Sequence, residues 1–329
     1  MILSLAALTA GLLSAQPSIT SQYNYKVIDY PNAPATFPLG VNDQRMIAGF
    51  FVDQMGVNHG FLWKNGAFTQ VVDFPGALQF PGAGTVAGGI NNRGDVVGTY
   101  TAPDGFQHGF KMARPDECED EDGHNCKPVF TTIDFPGAAQ TSGINFELGP
   151  GLGTAAIGIN NHGAITGMYA TNGLYSNAFF LSGGDYKALD SPSASHLSGD
   201  GTKCFSINDS GAAACDYLIQ SVPGAPQFTH GFLYDDGKMT SIFVPGSEAG
   251  SFGTQINGLN NAKKVVGTFT TPAGSLAGLV WFRGEYFTLN YPKMPFTELH
   301  SINNRGEITG AFAADPINGP VHGFVAIPK

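Results

Sequence analysis

Apolar and polar positions alternate along the chain in short stretches, and the same series of stretches returns along its whole length. The best-preserved copy is Gly-Ile-Asn-Asn-Arg-Gly-Asp-Val-Val-Gly-Thr-Tyr, residues 89–100, in which an Asn-Asn-Arg-Gly turn separates two apolar segments. Six copies occur about 52 residues apart, which is the length class of propeller blades. Their anchoring asparagines are Asn42, Asn91, Asn160, Asn208, Asn260 and Asn303.

Each repeat predicts four β segments, named a to d in chain order. Segment a is apolar and ends at a proline, which marks strand ends because it cannot donate to a ladder. Segment b carries the Gly-Ile-Asn phrase, and a tight Asn-Asn-x-Gly turn leads into segment c. Segment d begins at His-Gly-Phe in four repeats (59–61, 108–110, 230–232 and 322–324), and a second tight turn leads to the next segment a. The a–b connections are long.

These connection lengths predict the topology. Strands joined by hairpins share a sheet, so each sheet should contain b, c, d and the following a. The sixth repeat ends at d, and residues 25–30 near the N-terminus supply the missing a segment. The sequence therefore predicts an all-β fold: a β-propeller, with six four-stranded blades and a ring closed by the N-terminal strand. Merging of the degenerate fourth repeat, or an open arrangement, is the alternative.

In the predicted propeller, segment b is innermost and segment a outermost. The a–b and c–d connections share one face, which we name the long-loop face, and the tight hairpins share the other. Binding residues lie disproportionately on long loops held by a rigid scaffold. The long-loop face is therefore the predicted binding surface.

Composition fits this fold and indicates export. The chain has 45 Gly, 21 Pro and a formal net charge of −10, and its 16 Lys and Arg are scattered, which argues against a nucleic-acid or anionic-membrane partner. Residues 2–13 are apolar and lead to Ser14-Ala15-Gln16, as in a secretory signal peptide. We expect a signal peptide over 1–15 and a single secreted, extracellular or cell-surface domain over 16–329. The apolar run is too short to span a bilayer, so we expect no transmembrane segment.

The four cysteines suggest two disulfides. Cys118 and Cys126 bracket a short acidic loop and form the favoured pair. For Cys204 and Cys215 the turn between them leaves two outcomes open. A two-residue turn sets them directly opposite each other, whereas a type I turn closed by Gly211 in a bulge places them on opposite faces. The Asn-Asp-Ser-Gly composition favours the bulge.

The repeated phrases resemble a known family. Gly-Ile-Asn-Asn-x-Gly-x-Val-Val-Gly, followed by His-Gly-Phe and then Ile-Asp-Phe-Pro-Gly, is similar to the bacterial extracellular repeats called HAF repeats, and the resemblance covers residues 25–329. It implies export and a repeat architecture, and it implies no catalytic residue. The fourth and fifth copies depart most from the pattern.

Recurring titratable residues have structural interpretations. His59, His108, His230 and His322 begin segment d in four separate blades, too far apart to share one metal ion, so we expect each ring to tie a neighbouring loop or blade. Asp29, Asp73, Asp134 and Asp190 precede the turn proline, where we expect them to bond the turn. The insert 116–126 offers Asp120, Asp122 and Asn125 to calcium, but the match to a calcium loop is weak. We therefore expect no cofactor, with calcium as the weaker alternative.

The long-loop face supplies the candidate binding residues. Aromatic side chains near polar groups suit stacking on sugars or docking of a protein loop. The aromatic candidates are Phe80, Phe106, Phe146, Tyr175, Phe228, Phe252 and Phe296. We predict a secreted propeller that binds a glycan or protein ligand without catalysis. The alternative is a polysaccharide hydrolase or lyase that uses two carboxylates among Glu147, Asp200, Glu248 and Glu298. A structural surface-layer protein is a third hypothesis.

Overall fold

The computed structural model describes residues 16–113, 127–139, 153–172, 175–197, 199–220, 227–247 and 252–329. Within these ranges the chain is all-β, with 24 strands and one short 3-10 turn, η1 (Thr20–Gln22). The predicted Cys118, Cys126, Asp120, Asp122, Asn125, Phe146, Glu147 and Glu248 lie outside the described residues. No helix in the described part of the chain has the length and apolarity needed to cross a membrane.

The strands follow the predicted a–b–c–d order from the N-terminus. In chain order they are β1 (Tyr23–Ile28), β2 (Ala35–Val41), β3 (Ile47–Val52), β4 (Asn58–Lys64), β5 (Ala67–Val72), β6 (Thr85–Ile90), β7 (Val96–Thr101), β8 (Gln107–Ala113), β9 (Val129–Ile133), β10 (Thr154–Ile159), β11 (Ile165–Ala170), β12 (Ser176–Ser182), β13 (Asp185–Leu189), β14 (Gly201–Ile207), β15 (Ala213–Ile219), β16 (Phe228–Asp235), β17 (Lys238–Ile242), β18 (Thr254–Leu259), β19 (Val265–Thr270), β20 (Leu276–Phe282), β21 (Glu285–Thr288), β22 (Phe296–Ile302), β23 (Ile308–Ala313) and β24 (His322–Pro328).

The sheets form a propeller-like arrangement. Four of them are separate four-stranded blades: β2 to β5, β6 to β9, β18 to β21, and β22 to β24 with β1. The remaining sheet has eight strands, β10 to β17. Its two halves meet through one parallel pair, Ser176 on β12 with Gly201 on β14. Neighbours within each half are antiparallel, as expected for strands joined by tight hairpins.

The N-terminal segment joins two blades. The predicted pairing of the first segment a with the last segment d is confirmed, because β1 pairs with β24 along its whole length. Just before it, the amide of Ile19 donates to the carbonyl of Thr288 at 2.9 Å, and the amide of Thr288 donates to the carbonyl of Pro17 at 3.0 Å. Residues 17–19 therefore extend the outer edge of β21 before the chain enters β1.

Every b strand contains a bulge at the same place. The register of β2, β6, β10, β14, β18 and β22 against the following strand shifts by one residue near the middle of the strand. A bulge increases the local twist of a strand and bends it. The repeated bulge therefore bends each inner strand in the same way around the centre of the molecule.

The core fills the spaces between neighbouring sheets. The Phe of the His-Gly-Phe phrase is buried in each repeat that has it, as in Phe61, Phe110, Phe232 and Phe324. The glycine before it allows sheets to approach closely: a Cβ at Gly109 would lie 3.1 Å from Cβ of Ala156 in the next repeat. The phrase thus fixes the spacing between sheets, since a larger side chain there would push them apart.

The predicted order is confirmed in the four four-stranded sheets, where the b strand lies at one edge and the a strand lies at the opposite edge. The eight-stranded sheet differs from the predicted separate blades, because β14, the b strand of the fourth repeat, lies inside the sheet and pairs with β12 through Ser176 and Gly201. All six b strands contribute residues to a central cavity of about 1880 Å³. Exposed apolar residues such as Val27, Val71 and Val129 lie on these outer strands. The central cavity is therefore the space that the repeats share.

Candidate functional site

Two layers of side chains from the b strands line the central cavity. The first layer lies five residues before each repeat asparagine and consists of Phe37, Val86, Ala155, Lys203, Gln255 and Glu298. The second layer lies three residues before it and consists of Leu39, Gly88, Ile157, Phe205, Asn257 and His300. Side chains two residues apart on a strand share a face, which explains why both positions reach the cavity.

The first layer divides the cavity wall into two chemically different halves. The first three repeats contribute a mainly apolar half-wall, which includes Phe37, Val86 and Ala155 with Phe50 and Met168, and the polar Thr99, from the neighbouring c strands. The last three contribute a polar half-wall, which consists of Lys203, Gln255 and Glu298 with Asp216 from β15. The backbone repeats around the cavity, whereas the chemistry of its lining does not.

Asp216 is the most unusual group on the polar half-wall. It is 1% exposed, and neither carboxylate oxygen has a hydrogen bond of ordinary geometry within the described residues. Burial raises its pKa to about 7, and the nearby Lys203 ammonium and Gln255 amide offset only part of that effect. Lys203 is its direct cross-strand neighbour on β14.

Two other polar groups of this half-wall, His300 and Asn257, are held by backbone carbonyls. The His300 Nδ1 lies 3.0 Å from the Pro38 carbonyl oxygen, and its Nε2 lies 3.6 Å from a Glu298 carboxylate oxygen. The Asn257 amide donates to the Leu299 carbonyl at 2.9 Å. Polar groups held by backbone partners present a fixed pattern of donors and acceptors to a ligand.

The repeat asparagines form a cycle of hydrogen bonds at the hairpin end of the cavity. Each Nδ2 donates to the backbone carbonyl of the next repeat's asparagine: Asn42 to Asn91, Asn91 to Asn160, Asn160 to Asn208, Asn208 to Asn260, Asn260 to Asn303 and Asn303 to Asn42, at 2.9–3.3 Å. Each Oδ1 also accepts backbone amides within its own turn, as Asn42 does from Gln44 and Met46. The predicted turn function of these asparagines is confirmed, and the link between repeats adds to it.

The next residue of each turn forms a second ring, which we name the amide belt: Asp43, Asn92, Asn161, Asp209, Asn261 and Asn304. Asp43 Oδ2 accepts from the side-chain amides of Asn92 and Asn304, and Asp209 Oδ2 accepts from Asn161 and Asn261. Burial raises the pKa of Asp43 and Asp209, but these hydrogen bonds outweigh it, so the pKa of each is lowered. The belt borders the cavity where the hairpins lie.

The described aromatic candidates do not surround one site. All six are partly buried, and Phe252 lines the central cavity. Phe106 lies beside a separate cavity of about 390 Å³ with His108 and Asp134. The Tyr175 ring packs 4.6 Å from the ring of His196. As a binding set, these aromatics stay a prediction.

The two described carboxylate candidates have different surroundings. Glu298 lines the central cavity. Asp200 is fully buried outside the lining, and its Oδ1 accepts a hydrogen bond from the Gln227 amide at 2.8 Å. Asp216, which is not among the sequence-predicted residues, shares the cavity with Glu298 instead. The signal was present in the repeats: at the position of Asp216 the other copies have Phe50, Thr99, Met168, Thr268 and Ala311.

The recurring histidines and aspartates bond to each other. His59 pairs with Asp73, His108 with Asp134 and His322 with Asp29, each through Nδ1 at 2.8 Å. The prediction that each His ties a neighbouring loop is confirmed for these three. The prediction that the aspartates bond the turn is wrong for Asp29, Asp73 and Asp134, because their carboxylates bond these histidines. The carboxylate of Asp190 instead bonds His196 and Thr202. Among the described residues no group of three or more His, Cys, Asp or Glu is arranged to hold a metal ion.

Cys204 and Cys215 form a disulfide within the fourth repeat. Their hairpin has the predicted bulge turn, since Gly211 has a φ of 84° and donates to the Asn208 carbonyl. The expected opposite placement of the two cysteines is wrong, because the second bulge in β14 at Phe205 restores their register. The register shift from the Gly211 turn and the shift from the bulge at Phe205 cancel, so the two cysteines lie directly opposite each other.

The comparisons with known proteins concern the fold. No protein-family model matches the chain, and no curated protein matches it in sequence. The structure of AofleA from Arthrobotrys oligospora is similar with a TM-score of 0.53 at 14% identity, covering 95% of this chain and 90% of that chain. A mutant of the Aleuria aurantia lectin in complex with Fucα1-6GlcNAc has a TM-score of 0.46 at 12% identity, covering 94% of this chain and 96% of that chain. Fold and site together define the chain as a propeller-like β protein with a large central cavity.

Proposed function

We propose that the chain is a secreted six-bladed β-propeller of the HAF-repeat type, with a ring closed by its N-terminal strand. In this proposal it is a non-catalytic protein that binds a glycan through the long-loop opening of its central cavity. The observation that carries the binding proposal is the cavity itself, which combines amides, aromatic rings and a few charged groups in one enclosed wall.

The count of six blades is supported by the contact between the halves of the eight-stranded sheet. Ser176 pairs with Gly201 in parallel, and equivalent isolated pairs join Asn58 to Gly84, Gln107 to Gly153 and Thr229 to Gly253 between other repeats. At Gly84 a Cβ would lie 2.0 Å from the Asn58 carbonyl oxygen, so glycine permits this contact. The Ser176–Gly201 pair resembles these isolated pairs, which supports the proposal that the eight-stranded sheet corresponds to two blades.

Closure of the ring is supported by bonds between the last repeat and the first. The Asn303 amide donates to the Asn42 carbonyl at 3.0 Å, and the Asn304 amide donates to Asp43. The Arg45 guanidinium also pairs with the Glu307 carboxylate, which is buried. The two hydrogen bonds are of the same kinds as those that join the other repeats.

The volume and lining of the cavity favour a glycan. Pockets for small molecules typically enclose about 300 to 1,000 Å³, so a cavity of about 1880 Å³ has room for an oligosaccharide. Sugars offer hydroxyls for amide and carboxylate partners and C–H faces for aromatic rings. Both kinds of partner line this cavity, as Gln255 and Phe37 illustrate.

Export is supported by the apolar N-terminal run and by the disulfide. Disulfides persist in oxidising compartments and are rare in the cytosol. Cys204–Cys215 is therefore consistent with a secreted protein.

One observation favours hydrolysis of a polysaccharide as a second candidate function. Asp216 and Glu298 both line the cavity, and the pKa of Asp216 is raised to about 7 by burial. A carboxyl group that keeps its proton near neutral pH can act as a general acid, and a second carboxylate can act as base or nucleophile. This candidate needs bond cleavage, which can be measured directly.

The test is a glycan array probed with the purified protein, with release of reducing ends assayed for every glycan that binds. Binding without release is the expected result. Release of reducing ends, lost in Glu298→Gln, would overturn the non-catalytic proposal in favour of hydrolysis. Absence of binding to any glycan would overturn the glycan proposal and leave a protein ligand or a structural function.

A further inference from the structure

The difference between the two half-walls contains information about the ligand. If the cavity had only a structural role, the six repeats could line it with similar side chains. Instead, the first-layer position is apolar in the first three repeats and polar in the last three, as Phe37 and Lys203 exemplify. A wall of this kind suits a single ligand with one apolar side and one hydrogen-bonding side.

The apolar half-wall has a ring face suited to stacking. Phe37 and Phe50 stack with ring centroids 4.8 Å apart and planes 15° apart, and both line the cavity. Both are only partly buried, so part of each ring is in contact with the cavity. The C–H faces of a sugar ring pack against aromatic rings of this kind.

The polar half-wall has an unused acceptor. Asp216 has two buried carboxylate oxygens without hydrogen-bond partners, which is costly in a protein interior. A ligand hydroxyl would supply the missing donor. Because Asp216 is 1% exposed, side chains around it must shift for the hydroxyl to reach it.

The charges on this half-wall indicate a neutral ligand. The Lys203 ammonium lies opposite Asp216, and the Glu298 carboxylate lies beside the His300 imidazole. Asp216 and Glu298 thus each have a neighbouring nitrogen group, and the other two carboxylates of the lining, Asp43 and Asp209, accept hydrogen bonds from amides of the belt, so the lining offers no cluster of basic groups to an anionic ligand. An anionic sugar would face Asp216 and Glu298, and a cationic sugar would face Lys203.

We propose that the central cavity binds a neutral oligosaccharide, with one sugar unit stacked on Phe37 and Phe50 and another hydrogen-bonded to Asp216, Lys203 and Gln255. At least two units are needed because Phe37 and Lys203 belong to repeats three apart in the chain and lie in opposite half-walls. The proposal rests on the proposed glycan-binding function and names the ligand class and its contacts.

The test compares affinities of variants for three sets of oligosaccharides: neutral (lactose and cello-oligosaccharides), anionic (sialyllactose) and cationic (chitosan oligosaccharides). The variants are Asp216→Asn and Phe37→Ala. Their matched controls are Asp185→Asn and Phe130→Ala, on the outer strands β13 and β9 and outside the cavity lining. Thermal unfolding of each variant shows that it is folded.

Neutral oligosaccharides should bind at least ten times more weakly to Asp216→Asn and to Phe37→Ala, with the controls unchanged. Neutral binding that both cavity variants retain, and that Phe252→Ala removes, would overturn this proposal and leave the proposed function standing. Selective binding of the anionic or the cationic set would overturn the neutral class. Absence of binding to every glycan would overturn the proposed function, and this proposal with it.

Discussion

At the scale of single residues, equivalent positions of the repeat hold side chains with different chemical properties. The c-strand position of Asp216 holds Thr99 in the second repeat and Met168 in the third, and all three line the cavity. Only at Asp216 does this place bury a carboxyl group without a hydrogen-bond partner. Burial makes the ionised form of Asp216 unfavourable and thereby raises its pKa. A ligand that donates a hydrogen bond to this carboxyl group would relieve part of that penalty.

We expect Asp216→Asn to stabilise the protein in a pH-dependent way. The pKa of Asp216 is about 7 in the folded state, against 3.8 for an aspartate in an unstructured peptide, so the folded state binds the proton more tightly. Below pH 4 Asp216 is protonated in both states, so its burial as a charged group costs no folding free energy. The loss of folding free energy grows as pH rises and reaches its full size above pH 7. The gain of the variant should rise from near zero at pH 4 to at most about 4 kcal/mol at pH 8. Urea unfolding across this range measures it.

Asp185→Asn is the matched control, because Asp185 lies at the exposed start of β13. Its effect on the free energy of unfolding should be within about 0.5 kcal/mol at every pH. A gain for Asp216→Asn that does not change between pH 4 and pH 8 would contradict the assignment of a buried carboxylate as its source.

At the scale of elements, the b–c hairpin both turns the chain and joins repeats. The asparagine side chain closes its own turn through Oδ1 and reaches the next repeat through Nδ2. The residue after it enters the amide belt, where Asp43 and Asp209 are the acceptors for their neighbours' amides. Asp43 and Asp209 belong to the first and fourth repeats, so each carboxylate serves a different half of the belt.

We expect the double variant Asp43→Asn, Asp209→Asn to be less stable at pH 7 by about 1 to 3 kcal/mol, because an amide nitrogen replaces an oxygen that accepts two hydrogen bonds. The lowered pKa of both carboxyls means that their stabilisation is present above about pH 4 and is lost as pH falls through the folded-state pKa. The difference from wild type should therefore shrink below pH 4. Urea unfolding at pH 7 and pH 3 measures both effects.

The control for the belt is the double variant Asp185→Asn, Asp236→Asn, in which Asp185 lies at the exposed start of β13 and Asp236 lies in an exposed d–a turn. It changes the net charge by the same amount without touching the belt. An equal loss of stability in this control would show that charge, and not the hydrogen bonds of the belt, is the cause.

At the scale of the whole molecule, the two ends of the chain meet in one sheet. The β1 strand pairs with β24, and the amide of Lys329 donates to the carbonyl of Gln22 at 3.0 Å. The N-terminal strand thus occupies the outer position that a hairpin-linked a strand occupies in the other sheets. If the ring is closed as proposed, the chain could begin in the outer strand of any repeat.

A circular permutant tests this arrangement. Lys329 is joined to Gln16 through a Gly/Ser linker of about eight residues, and new ends are made between Asp236 and Gly237 in the exposed d–a turn. The new N-terminal strand β17 would then pair with the new C-terminal strand β16, as β1 pairs with β24. We expect a folded monomeric unit with a melting temperature within about 5 °C of wild type, since no core contact is lost.

A second permutant with ends between Val266 and Gly267 is the matched control. This site interrupts β19, whose side chains are all buried, and it should prevent folding or lower the melting temperature by more than about 10 °C. If the turn permutant behaves as badly as the strand permutant, the ends do not have the interchangeable positions proposed for a closed ring.

The strand order along the chain and the composition of the four four-stranded sheets could be predicted from the sequence, because they follow from local rules, whereas the joining of the third and fourth repeats in one eight-stranded sheet could not. Hairpin turns such as 91–95 specify antiparallel neighbours, and the period of the phrase specifies how often the sheet recurs. The buried Phe of His-Gly-Phe follows from the alternation of side chains along a strand. Each of these features is specified within about a dozen residues of chain.

Contacts between side chains that are distant in sequence, and the burial of single groups, became visible only in the folded molecule. The pairing of His108 with Asp134 joins two recurring residues that lie 26 positions apart, and no local rule links them. The Cys204–Cys215 bond depended on a bulge at Phe205 that no turn rule indicates. The partnerless carboxylate of Asp216 depends on side chains from β14 and β18, so its burial and its pKa arise only when the sheets assemble around the cavity.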